Sequence, residues 1–168
     1  MLINRIICSS LVLFLNIFLF TLSFAKETST GLPLPRFASL RSDKVNIRTG
    51  PGLRYPIEWV YQKREMPVEI IAEYETWRKI RDWQDTLGWV HQSMLSGKRM
   101  FIIINSPQAI RKRGETKSIA IAEAEPGVIG TLKSCKTESA WCRIQIGQFN
   151  GWLRRTQIWG AYKNESIQ

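Results

Sequence analysis

Short runs of alternating apolar and polar residues dominate the chain from residue 45 onward. Val45 and Ile47 alternate with Asn46 and Arg48, the period-2 mark of a half-buried strand. Gly50-Pro51-Gly52 ends that run in a tight loop, and the chain restarts at Tyr55-Pro56-Ile57. Ile57–Tyr61 reads as a short extended segment and Gln62-Lys63-Arg64-Glu65 as a solvated turn. Val68, Ile70 and Ala72 then alternate with Glu69, Ile71 and Glu73, predicting a long strand. Trp77–Arg81 and Leu87–His91 are two more, with Asp82–Asp85 as their hairpin tip and Ser93-Met94-Leu95 as one helical turn. No segment sustains apolar residues at i, i+3 and i+4, so the predicted class is all-β.

The pattern then repeats loosely. Trp77-Arg78-Lys79-Ile80 returns as Trp141-Cys142-Arg143-Ile144, and Gly88-Trp89-Val90 as Gly151-Trp152-Leu153. A shift near 63–64 relates the copies, about one small five-stranded barrel, which argues for tandem units. The second copy departs in its first half. Ile110-Arg111-Lys112-Arg113-Gly114-Glu115 stands where the first copy has its Gly-Pro loop, and no proline occupies the turn. Phe101-Ile102-Ile103-Ile104 reads as an additional strand, apolar on both faces and buried between the units.

The strand Val45–Arg48, its Gly-Pro-Gly loop and the three strand-like runs that follow resemble the opening of a bacterial SH3-like (SH3b) domain. The resemblance is strong over Leu40–Lys98 and extends in degenerate form over Ile110–Gly160. It implies two tandem small SH3-like barrels, at residues 37–98 and 100–162, followed by a tail at 163–168.

Residues 1–25 do not share the pattern. Arg5 precedes an apolar run from Leu11 to Phe24, and Ser23-Phe24-Ala25 puts small residues at −3 and −1 of a cleavage point. A secretory signal peptide is expected, which leaves no membrane span after cleavage; the alternative is an uncleaved anchor. Cys8 lies too early to be a lipoprotein anchor. Residues 26–36, with two prolines and no period, read as an extended tether.

The formal charge of +10 falls to +9 on losing Arg5, which draws the chain toward anionic surfaces. Outside the cytosol these are lipid head groups, acidic polysaccharide or cell-wall polymer, ahead of nucleic acid. Export leaves Cys135 and Cys142 flanking Lys-Thr-Glu-Ser-Ala-Trp. With Thr137–Ala140 as a four-residue loop, the two face one another at a non-hydrogen-bonded position. Such pairs bring Cα atoms to ~4.5 Å, within disulfide range, and an oxidising compartment closes the bond. Two thiols and the distant His91 do not complete a metal site, so no metal or cofactor is expected.

The aromatic residues are the candidate ligand contacts. Trp77 and Ile80 are three apart, so if Ile80 faces the barrel interior, Trp77 lies outside it, as a platform or packed under a loop. Trp141 and Ile144 repeat this. Trp89 and Trp152 resemble the family's structural Gly-Trp pair. Tyr55 and Trp59 flank Pro56 beside the loop that borders the ligand groove in SH3-like domains, with Tyr61 on the same stretch. The resemblance therefore implies a groove walled by Tyr55, Trp59, Tyr61 and Trp77, with Arg48 or Arg54 at its rim, for a peptide or a glycan.

The inventory for catalysis is thin. His91 is the single histidine, and a Cys–His pair needs a free thiol beside its base. Asp82 and Asp85 at a hairpin tip lack the cleft and the desolvated acid of a glycosidase. A non-catalytic exported module, periplasmic or secreted, is the reading, and the resemblance implies recognition of peptidoglycan or its peptide stems. The alternative is an adaptor or host-directed factor that holds a protein partner in the same groove. A third reading aligns Lys98-Arg99, Arg111-Lys112-Arg113 and Arg154-Arg155 along one salt-sensitive anion-binding face.

Overall fold

A computed structural model describes residues 29–168; the expected signal peptide and the first residues of the tether lie outside them. Among the described residues the regular structure is strand, apart from two single 3-10 turns. The first unit comprises β1 (Arg36–Leu40), β2 (Val45–Arg48), β3 (Ile57–Tyr61), β4 (Pro67–Tyr74), β5 (Trp77–Arg81), β6 (Leu87–His91) and β7 (Leu95–Ser96). The second repeats it as β8 (Met100–Ile103), β9 (Gln108–Arg111), β10 (Ala120–Ala124), β11 (Ile129–Cys135), β12 (Trp141–Ile146), β13 (Phe149–Arg154) and β14 (Ile158–Trp159). The antiparallel sheets have the orders β3-β2-β6-β5-β4-β1-β7 and β10-β9-β13-β12-β11-β8-β14. The two orders are the same topology, strand for strand. Tandem all-β units of the SH3-like kind are therefore what the chain forms.

Each sheet curls around its own core. Leu40, Val45, Ile47, Val68, Ile70, Ile80 and Val90 fill the first, and Phe101, Ile103, Ile110, Leu132, Ile144 and Leu153 the second. The matching topology corrects one expectation: the apolar run at 101–104 is not an additional strand but β8, the counterpart of β1. Its burial on both faces has a simple cause. Phe101 and Ile103 face the second core, while Met100 and Ile102 are buried outside it and β8 lies against β4.

The loop of the second copy is also closer to the first than its residues suggest. Thr49 N–H donates to Pro56 O (3.1 Å) and Tyr55 N–H to Gly52 O (3.2 Å); Lys112 N–H donates to Ile119 O (2.9 Å) and Ser118 N–H to Glu115 O (3.2 Å). Backbone hydrogen bonds set the turn, so the missing proline does not change it.

Among the described residues, the segments flanking the two sheets are docked. Ser29 and Thr30 donate to the Glu73 carboxylate, and Arg36 pairs with it, so the described part of the tether is a strap on the first barrel. Ile167, in the expected tail, is buried in the second core and exchanges both backbone hydrogen bonds with Cys135 (2.8 and 2.9 Å).

The barrels are tied together by side chains. The Phe37 ring meets Trp159 edge-on at 4.9 Å and Tyr162 at 4.6 Å. Tyr162 donates its hydroxyl to Glu69 (2.7 Å), and Lys63 reaches Gly127 O (2.9 Å). Glu69 is consequently buried, although alternation alone puts it on a solvated face.

Candidate functional site

The sheet β2-β6-β5 carries the site on its outer face. Along β2, Val45 and Ile47 point inward, which leaves Asn46 and Arg48 outside. Strand pairing puts Arg48 opposite Trp89, and Trp77 opposite His91. The first helical turn, Gln92–Met94, then brings Ser93 and Met94 alongside. Asn46, Arg48, Trp77, His91, Ser93 and Met94, together with Lys44, Leu53 and Thr76, line an open cleft of about 910 Å³.

Trp77 is the apolar wall of the cleft. It lies outside the core cluster that contains Ile80, yet is only 8% exposed, and His91 packs edge-on against it at 5.5 Å. The packed position, not a free platform, describes its environment, and only an edge of the indole reaches the cleft. His91 is itself held: its Nδ1 lies 2.7 Å from Ser93 Oγ and 3.3 Å from the Ser93 backbone nitrogen.

Arg48 positions the lip. Its Nη1 donates to Leu53 O (3.1 Å) and Tyr55 O (2.7 Å), clamping the loop from Thr49 to Pro56 over one end of the cleft. The Tyr55 ring covers Gly50, where a Cβ would collide with it. Arg54 stacks on the outer side of that ring at 5.2 Å. Lys44 and Arg48 are the charges lining the cleft, and no carboxylate lines it.

The six residues expected to share one groove are divided. Arg48 and Trp77 meet in the cleft, with Tyr55 and Arg54 behind its lip. Trp59 is 52% exposed and lines a separate hollow of about 370 Å³ with Trp89, Lys79, Glu58 and Asp85. Tyr61 turns toward the core and donates to Asp82 (2.7 Å). Burial first, and then the Asp82 carboxylate, push the Tyr61 phenol well above its ordinary value.

Asp82 is correspondingly buried. It accepts from Gln84 and Thr86 N–H (both 2.9 Å), so it fixes the hairpin from within, while Asp85 stays in solvent. Lys44, Asn46, Leu53, Thr76, His91, Ser93 and Met94 were not anticipated in the site. The alternation in β2 marks Lys44 and Asn46 as outward; the others need the register of β5 and β6.

Among the described residues no group of His, Cys, Asp and Glu has the arrangement of a metal site, and no helix is long and apolar enough to cross a membrane. Cys135 and Cys142 form a disulfide, with their Cα atoms 4.4 Å apart. The pair is non-hydrogen-bonded, since the Cys135 backbone bonds Ile167 on its other side.

The sequence profile described as bacterial SH3 domain matches residues 41–97 and again 105–160. The chain belongs to the bacterial SH3 domain family. Its two bacterial SH3 domains coincide with the two sheets. Among solved structures it is similar to NlpC2 from Trichomonas vaginalis, at 11% identity and a TM-score of 0.34, over 74% of this chain and 48% of that one. NlpC1 from the same organism matches at 11% and 0.34, over 78% and 48%. The chain thus spans about half the length of either structure. No curated protein matches it.

Proposed function

We propose that this protein is an exported, non-catalytic binding module that recognises cell-wall peptidoglycan through its peptide stems, in the cleft of the first domain. The observation that carries the reading is the pairing of the Trp77 wall with Lys44 and Arg48 in a lining without a carboxylate. An extended peptide fits such a cleft by laying apolar atoms against Leu53, Met94 and the exposed edge of Trp77 and directing its carboxylates to the cations. Asn46, Thr76 and Ser93 supply neutral polar groups for the backbone of such a peptide. The Cys135–Cys142 bond supports export, because disulfides persist in oxidising compartments.

Co-sedimentation of the disulfide-bonded protein with purified sacculi tests this. The protein is expected to pellet, and Lys44→Glu with Asn46→Ala to reduce pelleting while leaving the thermal transition in place. Absence from the pellet at low salt removes the reading. Capture of a soluble protein in a manner abolished by the same two changes would assign the cleft to a protein partner instead.

A further inference from the structure

The outer face of the second domain carries a different chemistry from the first. Along β12 and β13, Cys142, Ile144, Gly151 and Leu153 point inward, so Trp141, Arg143, Trp152 and Arg154 point outward. Strand register arranges them in two rows. Arg111, Trp152 and Arg143 lie side by side across β9, β13 and β12, and Arg154 lies beside Trp141 in the next row. Neighbouring strands are ~4.8 Å apart, so the two guanidinium-bearing positions of the first row flank one indole at a separation of roughly 10 Å.

The local contacts preserve this lattice. The Arg154 guanidinium sits 4.9 Å over the Trp141 ring and donates to Thr116 Oγ1 (2.6 Å). Arg111 donates to Ser118 O (2.6 Å), as Arg48 does to Tyr55 O, so the loop between them is held against the face. That loop adds exposed Lys112, Arg113 and Lys117 against a single carboxylate, Glu115, which pairs with Arg113 at 3.3 Å. The corresponding positions of the first domain are Arg48, Trp89 and Lys79 in one row and His91 and Trp77 in the other. Arg154 thus replaces His91, and a loop with three cations replaces Gly50-Pro51-Gly52.

The other basic pairs of the sequence do not join this face as available charges. Lys98 is bound to Glu65 (2.6 Å), and Arg99 to Glu165 and Gly160 O. Arg155 is buried, donating to the carbonyls of Lys136, Ser139, Tyr162 and Glu165. The expected anion-binding face therefore contracts to the second domain. What remains there is charge interleaved with indole.

We propose that this face binds a linear acidic polysaccharide. Forked guanidinium groups suit carboxylates, and the exposed edges of the half-buried indoles between them give sugar rings an apolar contact. The disulfide in the hairpin leading into β12 argues for an oxidising compartment, where acidic glycan rather than nucleic acid is the abundant polyanion. Both indoles are half-buried, Trp141 under the Arg154 guanidinium and Trp152 against Gly114, which disfavours insertion into a bilayer.

Polygalacturonate, a uronic-acid polymer, is the probe, with neutral dextran, oligodeoxythymidylate and phosphatidylglycerol vesicles as the other arms. The disulfide-bonded protein is expected to bind polygalacturonate and not dextran. Raising salt from about 50 to about 200 mM should weaken binding by roughly ten- to a hundredfold, as counterion release requires. Arg143→Glu, at an exposed position, should lower affinity at least about tenfold without moving the thermal transition, and Arg143→Lys should restore part of it. Lys44→Glu in the first domain should have no effect beyond its share of the general salt-dependent attraction. Failure of sacculus binding with polygalacturonate binding intact would remove only the first-domain reading. Equal binding of dextran, tighter binding of oligodeoxythymidylate or vesicles, or indifference to Arg143→Glu would each overturn the proposal.

Discussion

Glu73 and Arg78 face one another across the β4–β5 hairpin, 3.2 Å apart, at the register position that Cys135 and Cys142 hold in the second domain. The same end of the same hairpin is thus closed by an ion pair in one copy and a covalent bond in the other. Both closures recruit a segment from outside the sheet strands. The Ser29–Thr30 strap binds Glu73, and Ile167 binds Cys135. The first closure adjoins the candidate cleft, since Thr76 and Trp77 of the same hairpin line it.

The ion-pair closure should make the first domain acid-sensitive. Burial would push the Glu73 carboxyl up, but hydrogen bonds from Arg36, Thr30 and Ser29 outweigh it and bring it from 4.5 down to about 2. A carboxyl depressed on folding stabilises above its unfolded value and loses that contribution as pH falls toward its folded value. The melting temperature should therefore drop as pH is taken from about 4.5 toward 2. In Glu73→Gln the protein should be less stable at neutral pH, and that part of the acid dependence should be missing.

The disulfide should contribute through the unfolded chain it constrains. The two cysteines are seven residues apart, and closing a loop of that size is worth about 2–3 kcal/mol in the chain-entropy account. Urea unfolding with and without reductant should show that difference in the transition of the second domain.

Two glycines should resist a single methyl group. A Cβ on Gly88 would collide with Ile47 Cγ2, and one on Gly151 with Ile110 Cγ2, each a fully buried side chain. Gly88→Ala and Gly151→Ala should each cost about 1–3 kcal/mol in denaturant unfolding, the usual penalty of overpacking.

Tyr162→Phe should loosen the join between domains. Its hydroxyl bonds the buried Glu69, which Arg81 also holds at 2.6 Å. Burial and then Glu69 push the Tyr162 phenol above its ordinary value, so it stays a donor across the neutral range. Losing a hydrogen bond to a charged group costs about 1.5–3 kcal/mol. Hydrogen exchange should accelerate at Phe37, Glu69 and Trp159 while the two cores stay protected.

Much of the architecture is legible in the chain. Alternation in Val45–Arg48 sets which residues enter the first core, the return of Trp77 and Gly88-Trp89 as Trp141 and Gly151-Trp152 at a shift of 63–64 marks the duplication, and the spacing of Cys135 and Cys142 anticipates their bond. These are local properties, because the two-residue period of a strand and the length of a hairpin need no distant partner.

Tertiary structure decided the rest. The β4 strand carries a bulge between Ile70 and Ala72, which reverses the alternation beyond it and turns Glu73 inward, where a plain period of two puts it outside. The matching bulge between Leu132 and Ser134 does the same for Cys135. Strand pairing, not proximity in sequence, chose Lys44, Thr76 and His91 as companions for Trp77 and sent Trp59 and Tyr61 elsewhere. Sequence fixes what each side chain offers and the side of the strand it leaves from. Its neighbours are set by register across strands, a long-range choice that one extra residue in a strand is enough to reverse.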